Sequence, residues 1–420
     1  MRIYYYLFCI ILCTSCNERT GYSSKLDEDR VEVKEYVRPV QKMIDNPSLG
    51  FAHLPRLKAQ DGRLYMTWVE QEDSLAILKY SFYKDSTWSQ TEIIASGTDW
   101  FVNWADFPAI VVNEGTVMAT FLQKSTKGTY DYDINYTLRN METGTWSKPK
   151  RLHNDNVPAE HGFVSLLPYK KGFFATWLDG RKTKSSGSEH NSHNHGNGGA
   201  MTLRSALISK EGVISKRTEL DSRICDCCNT GAAQTDRGLV VVYRDRSEGE
   251  NETRDIYRKV WIDDNWTAAM PVYNDNWKIN GCPVNGPSID AMANTAVTAW
   301  FTAANDTPQV NAVFSSDGGL NFGTPIRIDS GEAIGRVDTV MLDDGSALVL
   351  WMEPQAVDVL LQLKRIFTDG TSDSTQTITQ MSGDRISGFP QIEVINKTVF
   401  IAFTDVKEEK SKVAVITLAL

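Results

Sequence analysis

The segment Asp344-Gly345-Ser346-Ala347-Leu348-Val349-Leu350-Trp351 is a turn followed by a short apolar run that ends in an aromatic residue. A turn dipeptide before a run of this kind is typical of a β-hairpin. A similar unit, Asp61-Gly62 followed by Arg63 to Trp68, lies near the other end of the chain. The aromatic residues that close these runs are Trp68, Phe121, Trp177, Tyr243, Trp300, Trp351 and Phe403. Their intervals of 51 to 66 residues indicate seven copies of one β unit.

Most of the units continue with a further alternating strand, at 88–94, 146–152, 266–272 and 322–328. Four short strands in each unit of roughly 50 residues, with no helical periodicity, are typical of a β-propeller. We therefore predict an all-β fold with a single β-propeller of four-stranded blades. Seven blades follow from the repeat count, and a six-bladed propeller is the alternative. An array of β-sandwiches would not require such even spacing.

The last repeat has room for only three strands between Phe389 and the C-terminus. Residues 33–44, which include Tyr36-Val37-Arg38-Pro39-Val40, resemble the fourth strands of the other repeats. A propeller ring leaves a free sheet edge unless its two ends pair. We therefore predict that an N-terminal strand closes the last blade.

The N-terminus has the pattern of an export signal. Arg2 is followed by an apolar run at 4–13 that is too short to span a bilayer. Leu12-Cys13-Thr14-Ser15-Cys16 resembles a bacterial lipobox, which implies lipidation of Cys16. We predict a signal peptide at 1–15, a lipidated tether at 16–30 and the propeller at 31–420. The protein would lie in the cell envelope, anchored through its lipid to the outer membrane on the periplasmic or the surface side; a soluble secreted protein is the alternative.

Composition limits the partners. The chain has 44 Lys and Arg against 53 Asp and Glu, a formal net charge of −9, so charge-driven binding of nucleic acid is not expected. A hydrophobic fraction of 41% excludes a disordered chain. We expect a folded monomer.

One segment carries a family resemblance. Ser315-Ser316-Asp317-Gly318-Gly319-Leu320-Asn321-Phe322 fits the Asp-box pattern, with Ser315, Asp317, Gly319 and Phe322 at the defining positions. The chain resembles the sialidase-like, Asp-box (BNR repeat) propeller superfamily, in which this box staples the turn between the third and fourth strands of a blade. The segments 160–163, 225–228 and 281–287, the second of them Cys-Asp-Cys-Cys, resemble a lipoprotein subgroup described as sialidase-like.

In a propeller, the loops that lead into the innermost strands share one face with the loops between the second and third strands. Binding residues are expected on such loops because the scaffold holds them rigidly. Arg181, Arg244 and Arg336 would then converge on an anionic ligand, or else form salt bridges at the rim. Further candidates for ligand binding are Trp104, Arg254 and Asn285.

The resemblance implies an arginine triad, an acid/base aspartate and a tyrosine nucleophile activated by a glutamate. Asp106, His161 and Asp338 are the candidate acid/base residues. The nucleophile is expected late in the chain, yet the last tyrosine is Tyr273, so a standard retaining sialidase is not expected. The hypothesis is a protein that binds or cleaves an anionic glycan, as an exo-glycosidase if it is an enzyme. The alternative is a non-catalytic envelope protein whose Cys-rich mouth binds a metal or a protein partner.

Four cysteines follow the lipobox: Cys225, Cys227, Cys228 and Cys282. An even number in an oxidising compartment predicts two disulfides, with pairs such as Cys228 to Cys282 between neighbouring loops. The alternative is a thiolate site for copper or zinc that His161 could join. A cleft that holds both the cysteines and the arginines would favour chemistry over scaffolding. The His-rich segment 188–195 indicates a mobile loop, or a lid that captures metals.

Overall fold

The computed structural model describes residues 40–184, 199–248, 252–356, 358–407 and 410–420. These residues form seven antiparallel sheets, with two single-turn 3₁₀ helices at Ala304–Asp306 and Arg385–Ser387. The fold is a seven-bladed β-propeller, which confirms the prediction. Within the described ranges, no helix has the length and apolar character needed to cross a membrane. The predicted signal peptide, Cys16, the tether at 16–30 and the His-rich segment 188–195 lie outside the described residues.

Each blade runs outward from an innermost strand at the ring axis. The strands of blades 1 to 3 are β2 (Ala52–Gln60), β3 (Arg63–Glu72), β4 (Leu75–Lys84), β5 (Thr87–Trp88), β6 (Glu92–Gly97), β7 (Ala109–Asn113), β8 (Thr116–Lys124), β9 (Tyr132–Asn140), β10 (Thr145–Trp146), β11 (Lys150–Arg151), β12 (His161–Tyr169), β13 (Gly172–Asp179), β14 (Thr202–Ser209) and β15 (Ile214–Asp221). Those of blades 4 and 5 are β16 (Gly231–Gln234), β17 (Leu239–Arg244), β18 (Ile256–Ile262), β19 (Asn265–Trp266), β20 (Met270–Pro271), β21 (Ser288–Met292), β22 (Thr295–Thr302), β23 (Gln309–Ser315) and β24 (Ile326–Arg327). Those of blades 6 and 7 are β25 (Gly335–Met341), β26 (Ala347–Gln355), β27 (Asp358–Ile366), β28 (Gln376–Met381), β29 (Gln391–Ile395), β30 (Thr398–Lys407) and β31 (Lys410–Ala419), and β1 (Gln41–Ile44) completes blade 7. In blades 1, 2 and 4 the outermost strand is split into two short segments.

The seven repeat aromatics occupy the second strand of each blade and are all buried. Three of their indoles donate to a carboxylate two residues later: Trp68 to Glu70 at 2.8 Å, Trp177 to Asp179 at 3.0 Å and Trp351 to Glu353 at 2.9 Å. A buried indole N–H needs an acceptor. The pairing therefore explains why an acidic residue follows the buried tryptophan two positions later in these three strands.

The N-terminal strand closes the ring as predicted. β1 pairs antiparallel with β31, from Gln41 opposite Leu418 to Ile44 opposite Val415. Residues 33–39 of the predicted strand lie outside the described residues. The innermost strands contact one another in the order β2, β7, β12, β16, β21, β25 and β29, and β29 returns to β2. The apolar core lies mainly between neighbouring blades; one cluster, for example, combines residues of blades 6 and 7.

The innermost strands surround a central cavity of about 290 Å³. Charged side chains line it instead of an apolar filling: Arg56, Lys58, Asp290, Asp338 and Glu393. Lys58 Nζ lies 3.2 Å from Glu393 Oε1. Burial raises the pKa of Glu393 to about 7, against the opposing charge of Lys58.

We call the side of the ring on which the chain reaches the innermost strands the loop face. Here β2, β12 and β25 each begin with a register shift, and one residue beside each shift has a positive φ: Leu54 (56°), Phe163 (54°) and Arg336 (51°). A bulge redirects backbone and side-chain groups locally. Its repetition in three blades places backbone donors where the inter-blade loops meet.

Candidate functional site

A tyrosine hydroxyl bridges two carboxyl groups on the loop face, between blades 2 and 3. Tyr132 Oη lies 2.9 Å from Asp106 Oδ2 and 2.9 Å from Glu160 Oε1. The bulge of β12 turns the Phe163 amide toward Asp106 Oδ1, to which it donates at 2.7 Å. Gly162 allows this approach, because a Cβ at that position would lie 1.8 Å from Asp106 Oδ2. We call Asp106, Tyr132 and Glu160 the carboxyl–tyrosine triad.

Burial sets the protonation of the triad. It raises the pKa of Asp106 to about 7 against hydrogen bonds from Phe163 and Tyr132. It raises the pKa of Glu160 to about 8, and the charges of Asp106 and Asp226 add to this effect against the hydrogen bond from Tyr132. The single hydroxyl proton of Tyr132 can be donated to only one carboxyl group. The other short contact therefore requires a protonated carboxyl as donor, so the triad holds a transferable proton near neutral pH.

The members of the triad differ in their access to solvent. Asp106 and Tyr132 are buried, whereas Glu160 is partly exposed. Trp104, two residues before Asp106 in the chain, stacks on Phe389 with ring centroids 5.9 Å apart. The exposed guanidinium of Arg385 lies 6.0 Å from the centre of the Trp104 ring. Glu160 is therefore the acid that a ligand can reach, and an aromatic and cationic surface lies on the same loop system.

Four sulfur atoms form a second group, at the loops before β16 and β21; we call Cys225, Cys227, Cys228 and Cys282 the cysteine cluster. The sulfurs of the first three lie within 4.8 Å of one another, and Cys282 interacts with Cys225 and Cys227. All four are free, and the Sγ atoms of Cys225 and Cys228 are 3.1 Å apart. A disulfide has a length of about 2.05 Å. Among the described residues none of the predicted disulfides, including Cys228 to Cys282, is present.

Arginines surround the cysteine cluster. The buried guanidinium of Arg254 interacts with Cys225, and that of Arg244 with Cys228. Arg246 lies 3.5 Å from Asp226, the residue within the Cys-Asp-Cys-Cys motif. Hydrogen bonds from the other three thiols hold the pKa of Cys225 well below its usual range, and the Arg254 charge adds to this effect. Since Asp226 also acts on Glu160, the cysteines, arginines and triad share one part of the loop face.

A third group joins blades 2 and 3: Asp133, His153, Asp155, His161 and Asp179, which we call the histidine–aspartate cluster. The rings of His153 and His161 stack 3.8 Å apart with an angle of 2° between them. His153 lies 3.2 Å from Asp133 and 3.0 Å from Asp155. Nδ1 of His161 faces the carbonyl oxygens of Tyr132 and Ala159, so this nitrogen carries the proton. His161 therefore belongs here and not to the cysteine cluster.

The histidine–aspartate cluster has the residue types of a metal site but not its geometry. The lone pairs of an imidazole lie in the ring plane, so two parallel stacked rings cannot both point at one ion. Arginines already neutralise the carboxylates: Arg151 lies 2.8 Å from Asp133, and Arg181 lies 2.8 Å from Asp155 and 2.6 Å from Asp179. The arrangement is a buried salt-bridge network.

The three arginines expected to form a triad have separate partners. Arg181 is held by Asp155 and Asp179. Arg244 donates to the carbonyl oxygens of Asn285, Arg254 and Phe301. Arg336 donates to those of Gly383, Asp384 and Gly388, and its guanidinium lies 4.8 Å from the Trp104 ring. In these positions Arg244 and Arg336 brace loops through backbone carbonyl groups, and Arg181 pairs with carboxylates of the junction between blades 2 and 3.

Asn285 and Asp338 also make contacts between blades. Asn285 Oδ1 accepts from the Arg336 amide at 2.8 Å, and its Nδ2 donates to Ile334 O at 3.1 Å. Asp338 lines the central cavity and accepts from Ser288 Oγ at 2.8 Å and from the Ile392 amide at 3.0 Å. Asp338 therefore links the innermost strands of blades 5, 6 and 7, and it is not a member of the triad.

The Ser315–Phe322 segment joins β23 to the last strand of blade 5, on the face opposite the loop face. Ser315 Oγ lies 2.9 Å from Asp317 Oδ1 and accepts from the Gly319 amide at 3.0 Å. Asp317 Oδ1 accepts from the Asn321 amide at 2.9 Å. These contacts fix a turn remote from the triad.

The sequence alone did not select Tyr132, Glu160 or Arg385. The resemblance implies a tyrosine late in the chain, whereas Tyr132 is the first residue of β9, the third strand of blade 2. This strand begins on the loop face, so the topology of a propeller places Tyr132 on the same face as the loops at 104–108 and 160–162. No regular spacing in the sequence indicates that Asp133, His153, Asp155 and Asp179 form a cluster.

No protein-family model matches the sequence, and no curated protein is significantly similar to it. Solved structures do resemble the fold. An ulvan lyase of polysaccharide lyase family PL25 has a TM-score of 0.55 at 11% identity, over 89% of this chain and 95% of that one. The endosialidase of phage phi92 has a TM-score of 0.51 at 11% identity, over 91% and 69%. The GH93 α-L-arabinofuranosidase of Fusarium graminearum has a TM-score of 0.50 at 12% identity, over 90% and 97%. At such identities the likeness shows a common propeller fold.

Proposed function

We propose that this protein binds and cleaves an anionic glycan on the loop face, with Glu160 as the general acid. The observation that carries the proposal is the Tyr132 hydroxyl, held 2.9 Å from each of two carboxyl groups whose pKa values are raised toward neutrality. A carboxyl group kept protonated near pH 7 can donate a proton to a leaving oxygen. The endosialidase, ulvan lyase and arabinofuranosidase named above support a glycan as the substrate class only through their shared fold.

The roles of the three triad residues follow from their different exposure to solvent. Glu160 reaches solvent and donates its proton to the glycosidic oxygen as the C–O bond breaks. Water adds its hydroxyl group to the anomeric carbon, and its remaining proton restores Glu160. Tyr132 and Asp106 are positioning residues that do not meet the substrate: the Tyr132 hydroxyl holds the Glu160 carboxyl, and the charge of Asp106 adds to the burial that raises its pKa. Asp106, which the sequence suggested as the acid, is in our proposal the buried partner of that acid.

The anionic character of the substrate rests on Trp104 and Arg385. An aromatic ring beside an exposed guanidinium suits a sugar that carries a carboxylate or sulfate group. Arg385→Ala should raise the KM for a charged glycan at least fivefold and leave kcat unchanged. An equal KM for the variant and the wild type would remove Arg385 from the binding site.

The main test is a screen of uronosides, sialosides and sulfated glycans for turnover, followed by variants. Glu160→Gln should lower kcat by 10²-fold or more, on the order of a lost general acid. Tyr132→Phe should shift the alkaline limb of the pH profile to higher pH, because burial raises the pKa of Glu160 and the Tyr132 hydrogen bond, which the variant lacks, lowers it. The control is Asp317→Asn, which disturbs a carboxylate on the opposite face and should keep full activity. Turnover that survives Glu160→Gln would refute the proposal.

Gly162 provides a test by geometry. An added Cβ would meet Asp106 at 1.8 Å, so Gly162→Ala should displace the Asp106 carboxyl and reduce kcat. Gly323→Ala is the matched control, because its Cβ would make only an ordinary contact at 3.6 Å with Phe314 O. Equal kcat values for the two variants would show that Asp106 does not position the acid.

We also propose that the protein is a lipoprotein of the cell envelope, from the sequence pattern at 2–16 alone. Replacement of Cys16 by Ser should release the full-length protein from the membrane fraction and abolish labelling by a fatty-acid analogue. Membrane association without labelling would contradict lipidation.

A further inference from the structure

We propose that Cys225, Cys227, Cys228 and Cys282 together bind one thiophilic closed-shell cation, Zn²⁺ or Cu⁺, at the junction of blades 4 and 5. The site is independent of the proposed glycan chemistry. It would fasten the loop before β16, which carries three of the sulfurs, to the loop before β21, which carries the fourth.

The first support is geometry. Three Sγ atoms lie within 4.8 Å of one another, and Cys282 reaches the same group from the neighbouring loop. A tetrahedral zinc site with Zn–S bonds of about 2.3 Å needs sulfur atoms about 3.8 Å apart. The sulfurs of Cys225 and Cys228, at 3.1 Å, would have to separate by about 0.7 Å to reach that spacing. The loop before β16 thus already gathers three ligands, and Cys282, which interacts with Cys225 and Cys227, is the fourth that closes on the ion.

The second support is charge. Arg254 is buried; its Nη2 atom donates to Glu252 Oε2 at 3.2 Å, its Nε and Nη1 atoms have no hydrogen-bond partner, and the guanidinium interacts with Cys225. Burial of a guanidinium is costly unless its N–H groups find acceptors. Two disulfides would be neutral and would offer these two nitrogen atoms no anionic partner. Four thiolates around Zn²⁺ carry a net charge of −2, which the neighbouring Arg254 and Arg244 guanidiniums would balance.

The third support is access. Cys225 and Cys228 are buried, whereas Cys227 is half-buried and Cys282 is exposed. A cation can therefore enter from the loop face, on the side of Cys282. Binding replaces the thiol protons, which leave to solvent as the thiolates form bonds to the metal. Only sulfur ligands are expected, because His161 belongs to the salt-bridge network.

The test measures the metal content of the full-length protein, purified under reducing, anaerobic conditions after growth with zinc or with copper. We expect one equivalent of metal per chain and X-ray absorption dominated by sulfur at about 2.3 Å. Titration with Co²⁺ should produce thiolate charge-transfer bands and tetrahedral d–d bands. Competition with a zinc chromophore and, separately, with bicinchoninate for Cu⁺ identifies the preferred ion.

Variants locate the site. The double variant Cys225→Ser and Cys228→Ser should lose all the metal, and Cys282→Ser should bind it at least tenfold more weakly while keeping its fold, since that side chain is exposed. His153→Gln is the matched control in the histidine–aspartate cluster and should keep one equivalent. Metal that persists in the double variant, or that is lost from His153→Gln alone, overturns the proposal. Metal-free wild-type protein, whether its thiols are free or joined in disulfides, overturns it as well.

Discussion

The cysteine cluster and the histidine–aspartate cluster both gather metal-ligand residue types in a small volume, yet they differ in what surrounds them. Each has three candidate ligand atoms within 4.8 Å of one another. In the histidine–aspartate cluster, two rings stack face to face, and arginines lie between 2.6 and 2.8 Å from the three carboxylates. In the cysteine cluster, the nearest arginine still has unpartnered N–H groups. Proximity of ligand types is therefore a weaker indicator of a metal site than the balance of charge around them.

The difference has a physical basis. A carboxylate paired with a guanidinium has already recovered the electrostatic energy that a cation would offer. A thiol group gains such a partner charge only when it loses its proton; at Cys225, hydrogen bonds from the other three thiols and then the Arg254 charge favour that loss by lowering its pKa. The first arrangement stabilises the junction of blades 2 and 3 by itself, whereas the second gains stability from a ligand.

Asp179→Ala should have the largest effect on stability. The Asp179 side chain is fully buried and accepts from Trp177 at 3.0 Å and from Arg181 Nε at 2.6 Å. Its removal leaves the indole and Arg181 Nε without an acceptor, while Arg181 keeps its contact with Asp155, so we expect a loss of about 3 kcal/mol in the free energy of unfolding. Asp179→Asn keeps an acceptor for the indole and should lose less. Chemical denaturation measures both, and a loss below about 1 kcal/mol for the alanine variant would show that the network is not stabilising.

Zinc should have the next largest effect, and only through the cysteine cluster. At a free concentration about 100-fold above Kd, it should stabilise the wild type by about 2.7 kcal/mol. The same addition should stabilise His153→Gln equally and leave the Cys225→Ser, Cys228→Ser double variant unchanged. Thermal unfolding with and without zinc measures the shift. A shift that disappears in His153→Gln would reverse the assignments of the two clusters.

The pH dependence of stability should separate the carboxyl–tyrosine triad from the histidine–aspartate cluster. Burial raises the pKa of Glu160 to about 8, so its folded form keeps a proton that the unfolded chain loses near pH 4.5. Stability should therefore fall as the pH rises from about 4.5 through about 8, by at most about 1.4 kcal/mol per pH unit for this group. Glu160→Gln should reduce that slope.

Asp155 should show the opposite behaviour. Hydrogen bonds from His153 and His161 lower its pKa against the effect of burial, so its contribution is present above its ordinary pKa and is lost as the pH falls through the folded value. Asp155→Asn should flatten the acid limb of the stability profile and leave the neutral limb intact. Equal slopes in Asp155→Asn, Glu160→Gln and the wild type would show that neither group titrates as described.

The repeat aromatics were sufficient to predict the architecture. Trp68, Trp300 and Trp351 end apolar runs because each lies in the second strand of a blade, where packing against the next blade favours a large buried ring. Closure by an N-terminal strand followed from counting strands, since an unpaired edge is unfavourable. The candidate site was harder to predict. Asp106 could be selected from its loop, but its partner Tyr132 could not. The triad brings together two loops of blade 2, which carry Asp106 and Tyr132, and the loop before blade 3, which carries Glu160.

The sequence by itself determined the periodic features: seven blades, the closing strand, the buried aromatics and the loops that share a face. These depend on local patterns of apolar residues and turns, which each repeat carries in its own residues. Tertiary structure alone decided which side chains meet. It placed Tyr132 between Asp106 and Glu160, engaged Arg181, Arg244 and Arg336 with separate partners, and kept the four cysteines as thiols beside Arg254. Such contacts depend on bulges and loop paths that join different blades, and no single repeat encodes the position of its neighbour's side chains.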